Sequence, residues 1–294
     1  MSNKLATLNK LIAELCQGDG YAEMRIKGAG AFQASRQHSK QHSFYEPLIC
    51  LMGQGAKRCH VGDSVLTYEA GDFFINFLPM PVSTEVVKAE QSEPLLSASL
   101  AIDLVRLADM VLRIERIEGR SPDPLCQKSS SLVIGNADDD LIDLFIKLLR
   151  LNKNPMDASI LGEPVVNEIY YRILTSQHGY ALRTLLNQYG DIQPISKVVN
   201  YIHENTHKSL QVQTLADIAN MSKTSFFNSF KHVMHVPPMQ YIKSSKLQKS
   251  QALLKQGMSA SEASFQVGYN SFSQFSREYK RFFGYPPSQT KHAA

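Results

Sequence analysis

The last third of the chain contains one sequence pattern twice. Leu215-Ala-Asp-Ile-Ala-Asn-Met-Ser222 is followed by Phe226-Phe-Asn-Ser-Phe-Lys231, and Ala263-Ser-Phe-Gln-Val-Gly-Tyr269 is followed by Phe275-Ser-Arg-Glu-Tyr-Lys280. The first segments align at an offset of 48 residues and the second segments at 49, so the second copy has one extra residue in its turn. Each copy predicts a short helix, a tight turn and a second helix.

The two copies share the residue types that a helix-turn-helix unit requires at fixed positions. The second helix crosses closely over the first, which needs a small residue at the crossing point. The turn needs a residue that tolerates positive φ. A large apolar residue that enters the core then precedes the N-cap of the second helix. These positions hold Ala216 and Ser264, Asn220 and Gly268, Met221 and Tyr269, and Ser222 and Ser271. The pattern therefore predicts helix-turn-helix units at about 210–233 and 259–283.

The second helix of each copy has one apolar side. Phe226 and Phe230 in the first copy, and Phe275 and Tyr279 in the second, are spaced to point back into the unit. The opposite side is left to enter a major groove of DNA.

A linking helix is predicted over residues 238–256. Its apolar residues are Tyr241, Ile242, Leu247, Leu253 and Leu254, and its basic residues are Lys243, Lys246, Lys249 and Lys255. A helix of about 18 residues is about 27 Å long at 1.5 Å per residue. That length is suited to holding two recognition helices about one DNA turn, roughly 34 Å, apart.

Charge is distributed unevenly along the chain. The 294 residues have a formal net charge of +4 at pH 7, but residues 195–294 hold 12 basic and 4 acidic side chains, which leaves −4 on residues 1–194. A basic module on a slightly acidic body is typical of a polyanion-binding domain joined to a neutral one. Lysine-rich helices are also common on the surfaces of proteins that do not bind DNA. The prediction of DNA binding therefore rests on the repeat and not on the charge.

The region before the repeat has the pattern of strands followed by helices. Apolar runs between Gly and Pro turns predict strands at 47–52, 65–68, 73–78, 84–87 and 95–100, with Pro79-Met-Pro81 as a turn. Helical periodicity then predicts helices over 104–115, 139–151 and 165–176, the last two serving as a lid or as a seam between two subunits.

The predicted fold class is therefore α+β, with two domains. Residues 1–190 are expected to form a cupin-like β-barrel with flanking helices, which senses a signal and dimerises. Residues 195–294 are expected to form an all-α DNA-binding domain with the two helix-turn-helix motifs.

Composition excludes several classes of protein. No apolar run approaches the roughly 18 residues of a membrane span. Residues 1–16 lack the layout of a signal peptide and predict an amphipathic helix with Leu5, Leu8, Leu11, Ile12 and Leu15 on one side. The four cysteines, Cys16, Cys50, Cys59 and Cys126, form no C-x-x-C pair or disulfide scaffold. We expect a cytoplasmic protein.

No catalytic centre is predicted in the barrel. Metal-binding cupins use an H-x-H pair with a later Glu and His, whereas here His38 and His42 precede the predicted strands and His60 stands beside Cys59 without a second ligand. No Ser–His–Asp arrangement is evident. We expect a binding pocket rather than an enzyme, with no metal or cofactor.

With these features, the sequence resembles the AraC/XylS family of bacterial transcription regulators. The DNA-binding domain of that family is similar to residues 195–291 at Leu215-Ala216, Met221-Ser222, Phe230-Lys231, Pro238, Tyr241, Lys246-Leu247, Leu253-Leu254, Val267-Gly268-Tyr269, Phe275-Ser-Arg277 and Phe283-Gly284. The sensor domain of one subgroup resembles Tyr45-Glu-Pro-Leu-Ile-Cys50, Gly53-Gln-Gly55-Ala-Lys57, Tyr68-Glu-Ala-Gly71 and Asn167-Glu-Ile-Tyr-Tyr-Arg-Ile-Leu174. The chain departs from the pattern at Asn228 (often Arg), His235 (usually Gly), Lys246 (commonly Arg) and Ser250 (commonly Ala).

The resemblance implies which residues contact DNA. Base-facing positions are Thr224, Phe227 and Asn228 in the first recognition helix and Ser273, Ser276 and Arg277 in the second. Arg277 suits guanine O6 and N7, Asn228 suits adenine or a phosphate, and Phe227 either contacts a thymine methyl or packs. Phosphate contacts are assigned to Ser222, Lys223, Lys231, Ser271, Lys280 and Arg281.

The resemblance also implies the function: a sequence-specific regulator, usually an activator, that binds double-stranded promoter DNA as a homodimer and works with RNA polymerase. A small-molecule effector of unknown identity is expected to act on the N-terminal domain. Two alternatives remain open. One is a regulator that senses electrophiles or oxidants through Cys50 and Cys59 as reactive thiols. The other is a metal-dependent cupin enzyme with a DNA-binding tail.

Overall fold

The computed structural model describes residues 3–62, 64–119, 132–179, 183 and 192–292. Cys126 and the predicted domain limit at residue 190 lie outside this part of the chain. The N-terminal half contains α1 (Asn3–Cys16), β1 (Gly20–Glu23), β2 (Ala29–Ala34), β3 (His38–Tyr45), β4 (Leu48–Gln54), β5 (Ala56–Val61), β6 (Ser64–Glu69), β7 (Asp72–Asn76), β8 (Met80–Lys88), β9 (Leu95–Ala101), α2 (Leu104–Glu118), β10 (Leu132–Asn136), α3 (Asp139–Leu151) and α4 (Pro155–Thr175).

The strands form two antiparallel sheets that enclose the N-terminal core. One has the order β1-β2-β9-β4-β7-β10 and the other β3-β8-β5-β6. Tyr68 of the smaller sheet stacks on Phe74 of the larger sheet, with ring centroids 5.0 Å apart, and both side chains are buried. The predicted sheet-rich N-terminal domain is confirmed.

Two details of the predicted strand pattern are wrong. His38 and His42 do not precede the strands but lie on β3, whose mostly polar, exposed residues hide it from a search for apolar runs. Pro81 does not belong to a turn, because Met80 and Pro81 begin β8 and pair with Tyr45 and Phe44 of β3. Proline is tolerated at this end of the strand, where it donates no ladder hydrogen bond.

The helices pack on the sheets through their apolar sides, as the sequence predicts. Helix α1 buries Leu5, Leu8, Leu11 and Ile12. Helix α3 has the predicted bounds, and its N-cap Asp138 accepts a hydrogen bond from Leu141 N at 2.8 Å. Helix α4 begins at Pro155, ten residues before the prediction, because the internal Pro164 does not end it.

The C-terminal domain is entirely helical in its described residues. It contains α5 (Ile192–Glu204), α6 (Val212–Ile218), α7 (Lys223–Met234), α8 (Pro238–Lys255), α9 (Ala260–Gln266), α10 (Phe272–Phe283) and a terminal 3₁₀ helix (Pro287–His292). Helices α6–α7 and α9–α10 are the two predicted helix-turn-helix units. The linking helix α8 has 18 residues, which corresponds to about 27 Å.

The two turns are built in the same way at the backbone level. Met221 N donates to Ala216 O at 2.9 Å, and Tyr269 N donates to Ser264 O at 3.0 Å. Asn220 has φ +54° and Gly268 has φ +76°, as predicted for the turn position. The small residues Ala216 and Ser264 are fully buried. The duplication seen in the sequence is therefore a duplication of geometry.

Asn220 provides a test of this turn. Its side chain is exposed, so the conformation rather than a lost contact decides the effect of substitution. We expect Asn220→Ala to lower the free energy of unfolding by about 1 kcal/mol. Left-handed backbone costs roughly 1–2 kcal/mol, and Ala lacks the short polar side chain by which Asn offsets part of that cost through local hydrogen bonds. Asn220→Gly should match or exceed the wild type in urea unfolding. Equal destabilisation by both substitutions would contradict this explanation.

Candidate nucleic-acid interface

The first recognition helix, α7, buries one side and exposes the other. Phe226 and Phe230 are fully buried, with ring centroids 5.5 Å apart. Ser222 caps the helix, its hydroxyl accepting from Ser225 N at 3.2 Å. The predicted DNA-contacting residues are all exposed: Ser222, Lys223, Thr224, Phe227, Asn228 and Lys231. Phe227 is 43% exposed, which is more than packing alone would leave.

The second recognition helix, α10, has the same construction. Phe275 and Tyr279 are fully buried, and the Ser271 hydroxyl accepts from Gln274 N at 3.3 Å. Ser271, Ser273, Arg277, Lys280 and Arg281 are exposed, whereas Ser276 is half-buried.

The predicted contact residues occupy equivalent positions in the two helices. Thr224, Phe227 and Asn228 correspond, at the offset of 49, to Ser273, Ser276 and Arg277. Lys231 corresponds in the same way to Lys280. The two helices therefore offer similar surfaces with different hydrogen-bonding groups, as expected if each reads a different half of one site.

Glu278 joins α10 to α8 and to the turn that precedes α10. Its carboxylate pairs with Lys243 of α8 at 3.0 Å and accepts from the Tyr269 hydroxyl at 2.9 Å. Burial opposes its charge, but the hydrogen bonds from Lys243, Tyr269 and Gln274 outweigh burial and lower the pKa of Glu278. The acidic side chain is thereby held against Lys243 of α8 and the Tyr269 hydroxyl.

The N-terminal domain contacts both helix-turn-helix units. Tyr241 of α8 is fully buried and donates its phenolic proton to Pro79 O at 2.6 Å. The same phenol lies 2.7 Å from His203 Nε2, so the imidazole must supply the second proton. Gly62, in the turn between β5 and β6, lies so close to His235 O at the end of α7 that a Cβ there would collide with it. His42 of β3 stacks on Phe282 of α10 at 4.7 Å.

These contacts bring the sensor domain beside two predicted DNA-binding residues. Ser64 at the start of β6 lines a shallow groove with Asn228 and Lys231 of α7. No local sequence pattern predicts this contact, because it depends on how the two domains dock.

A cleft of about 580 Å³ lies between the domains. Its lining combines charged groups with an apolar surface: Lys40 and His42 from β3, Lys243 from α8, and Glu278 and Arg281 from α10, together with Val82, Val236, Met239, Leu247 and Phe282. Glu278 pairs with Lys243, which leaves Lys40 and Arg281 as the basic groups without that partner. A second cleft, of about 730 Å³, shares Lys40, His42, Arg281 and Phe282 with it. Arg281, predicted only as a phosphate contact, therefore also faces the sensor domain.

The structure does not favour the candidate thiols as reactive groups. Cys50 lies on β4 and Cys59 on β5, which follow each other along the chain and belong to different sheets. Both side chains are buried, and burial raises the pKa of each thiol, that of Cys59 to about 12. A reactive cysteine needs the opposite, an exposed thiol of lowered pKa.

Within the described residues, no group of three or more His, Cys, Asp and Glu side chains is placed to bind a metal ion. His60 Nε2 lies instead 3.3 Å from Glu85, which also pairs with Arg58 at 2.9 Å. None of the helices in this part of the chain is long and apolar enough to cross a membrane.

The fold and this surface define a DNA-binding transcription regulator with an attached sensor domain. Residues 25–181 match the family described as AraC-type transcriptional regulator N-terminus, and residues 215–293 match a helix-turn-helix domain. The chain belongs to the AraC/XylS family of transcriptional regulators.

Similar proteins of known role are regulators. A XylDLEGF operon transcriptional activator of Pseudomonas putida is 31% identical over 156 residues, 51% of this chain and 48% of that protein. The Msm operon regulatory protein of Streptococcus mutans is 23% identical over 244 residues, 80% of each chain.

Among solved structures, ToxT from Vibrio cholerae has the same fold. Its complex with an unsaturated fatty acid superposes with a TM-score of 0.60 at 13% identity, covering 89% of this chain and 93% of ToxT. Another ToxT structure contains (E)-4-(8-methylnaphthalen-1-yl)but-3-enoic acid and superposes with a TM-score of 0.58 at 12% identity, covering 90% of this chain and 97% of ToxT.

Proposed function

We propose that this regulator reads promoter DNA through the exposed sides of α7 and α10, one in each of two successive major grooves. The observation that carries the proposal is the pair of geometrically equivalent units, each with its apolar stripe buried and its polar side exposed. Base contacts are assigned to Thr224, Phe227, Asn228, Ser273, Ser276 and Arg277. Phosphate contacts are assigned to Ser222, Lys223, Lys231, Ser271, Lys280 and Arg281.

The DNA-binding assignment is tested with a duplex that the wild-type protein selects from a randomised library. Arg277→Ala should weaken binding to it by about 10- to 100-fold, since a bidentate base contact is worth about 1–3 kcal/mol. It should also relax the preference at one base pair. Lys231→Met should instead weaken selected and random duplexes alike and reduce the salt slope by about one. Lys27→Met, on the exposed N-terminal surface, is the control.

Two outcomes would contradict the assignment. One is the failure of the wild type to enrich any sequence. The other is an Arg277→Ala variant whose base preferences are unchanged at every position of the selected duplex.

We propose further that helix α4 pairs two subunits. Met156, Ile160 and Tyr171 form a stripe along one side of α4 and are 73%, 67% and 49% exposed. Their positions in the helix place them within about 60° of one another around the axis. Exposed apolar stripes of this kind mark association sites, and a twofold dimer buries the same stripe of both copies.

The proposed dimer is tested by placing a charge in the stripe. Ile160→Glu should convert a dimer to a monomer at micromolar concentration in analytical ultracentrifugation, because the carboxylate would be desolvated in the interface. Ser92→Glu, which adds the same charge to an exposed bend elsewhere, should remain dimeric. A wild-type monomer, or a dimeric Ile160→Glu variant, would show that α4 is not the interface.

The effector is proposed to bind in the cleft of about 580 Å³ between the domains. Lys243 is already paired with Glu278, but Lys40 and Arg281 beside an apolar surface suit a carboxylate with an apolar body, the class of both acids bound in the ToxT structures. A ligand there would touch β3, α8 and α10 at once. It would therefore favour one arrangement of the sensor domain and the recognition helices over others.

An effector of this class is tested with oleate, below its micelle-forming concentration, and its methyl ester. Oleate should raise the melting temperature and the ester should not, because only the acid pairs with the basic groups. Lys40→Met should weaken oleate binding about fivefold, the value for an exposed ion pair of up to about 1 kcal/mol. Lys27→Met should bind as the wild type does. Equal stabilisation by acid and ester would place the effector elsewhere.

The remaining features of the proposed function follow from the family. We propose a sensor and dimerisation domain of residues 1–190 and a DNA-binding domain of 195–294, acting in the cytoplasm with RNA polymerase as a partner. The burial of Cys50 and Cys59 favours a non-covalent effector over a thiol-based sensor. We propose no enzymatic activity, metal or cofactor.

A further inference from the structure

The two helix-turn-helix units have separate apolar cores. In the first unit Phe226 and Phe230 pack with Tyr241 and Ile242 from the start of α8, in a cluster continuous with the sensor domain. The second unit has its own cluster of buried residues, to which α8 contributes Leu247 and Leu254. The other members are Ala263, Val267, Tyr269, Phe275 and Tyr279. Helix α8 therefore changes partner between Ile242 and Leu247. Apolar packing alone leaves the rotation of one unit relative to the other weakly fixed.

Lys246 lies at the point where α8 changes partner. Its Nζ donates to Lys208 O, in the loop that precedes α6 of the first unit, at 3.2 Å. It also donates to Gly268 O, in the turn of the second unit, at 3.2 Å. The ammonium group lies 5.9 Å from the centroid of the Tyr269 ring, within the range of a cation–π contact. One side chain thus joins both units to the helix that separates them.

The two backbone segments that Lys246 joins are also in direct contact. A Cβ added to Gly268 would collide with His207 O, so the glycine turn lies directly on the loop before α6. That loop is attached to α8 a second time, because Lys249 Nζ donates to the Thr206 hydroxyl at 2.8 Å. The junction is therefore an ordered three-way contact of loop, turn and helix.

The bonding of Lys246 differs from that of an ordinary surface lysine. Its side chain is half-buried, and burial lowers its pKa. Among the described residues, no carboxylate lies within ion-pair distance of it, whereas Lys243 on the preceding turn of α8 pairs with Glu278. Its hydrogen bonds instead go to two carbonyl oxygens that no other side chain joins in the same part of the chain.

We propose that Lys246 is a positioning residue that sets the orientation of α10 relative to α7, and thereby the spacing of the two half-sites that the protein accepts. This inference rests on the proposed reading of DNA by both helices. Inserting one base pair between half-sites shifts them by about 3.4 Å and rotates them by about 35°, since a turn holds 10–10.5 base pairs. A rigid junction resists this change, and a loosened junction tolerates it.

The experiment uses the full chain and the library-selected duplex, together with versions that have one base pair inserted or deleted between the two footprinted half-sites. The wild type should lose about tenfold or more in affinity for the altered duplexes. Lys246→Met should bind the selected duplex several-fold more weakly, yet lose no more than about threefold on altering the spacing. Lys246→Arg, which can reach both carbonyls with its several donors, should restore the wild-type spacing profile.

Controls separate this role from a general loss of stability. Lys255→Met removes the same charge from an exposed site on the same helix and should keep the wild-type profile. Lys246→Gln retains a hydrogen-bond donor and should give a spacing profile between those of the wild type and Lys246→Met. It replaces Lys246→Met in the comparison if that variant unfolds at a much lower urea concentration than the wild type. A spacing profile of Lys246→Met and Lys246→Gln identical to that of the wild type would overturn the proposal while leaving DNA reading intact. Failure of the wild type to select any duplex would overturn both.

Discussion

The packing of helix α8 is the constraint on which the rest of the structure depends. Near its start, the buried Tyr241 donates to Pro79 O of the sensor domain and contacts the rings of Phe44, His203 and Phe230. Its second half supplies Leu247 and Leu254 to the core of the second unit. Because a helix is stiff over 18 residues, anything that moves its first turns also moves the distant recognition helix.

This arrangement gives a physical route from a sensor to DNA. The interdomain cleft is bordered by β3, α8 and α10, and the His42–Phe282 stack closes one side of it. The turn between β5 and β6 reaches His235 at the end of α7, and Ser64 lines a groove with Asn228 and Lys231 of that helix. The sensor domain therefore contacts both recognition helices, at His235 after α7 and at Phe282 of α10.

Polar contacts join the two helix-turn-helix units. The apolar cores hold each helix-turn-helix unit together. Lys246 joins the two units through backbone oxygens, and Lys249 attaches the loop before α6 to α8 through the Thr206 hydroxyl. Such contacts exchange readily with water and are individually worth about 0.5–1.5 kcal/mol, or somewhat more when charged. They can set an orientation without making the molecule too rigid to adapt to DNA.

The local features of the C-terminal domain were predictable because each depends on residues close in sequence. The positive φ of Asn220 and Gly268, the serine caps of α7 and α10 and the buried stripe at Phe226 and Phe230 all follow from residue type and helical period. Strand β3 was missed because its polar residues face solvent. The extra ten residues of α4 were missed because Pro164 is a helix breaker in most contexts.

The sequence by itself determined the repeated units, the residues on their exposed sides and the family to which the chain belongs. Only the tertiary structure decided that Arg281 borders an interdomain cleft, that Ser64 lies beside Asn228 and that Lys246 joins two units. The reason is physical. Turns and caps are fixed by interactions over a few residues, whereas docking depends on side chains from distant segments whose pairing no local periodicity encodes.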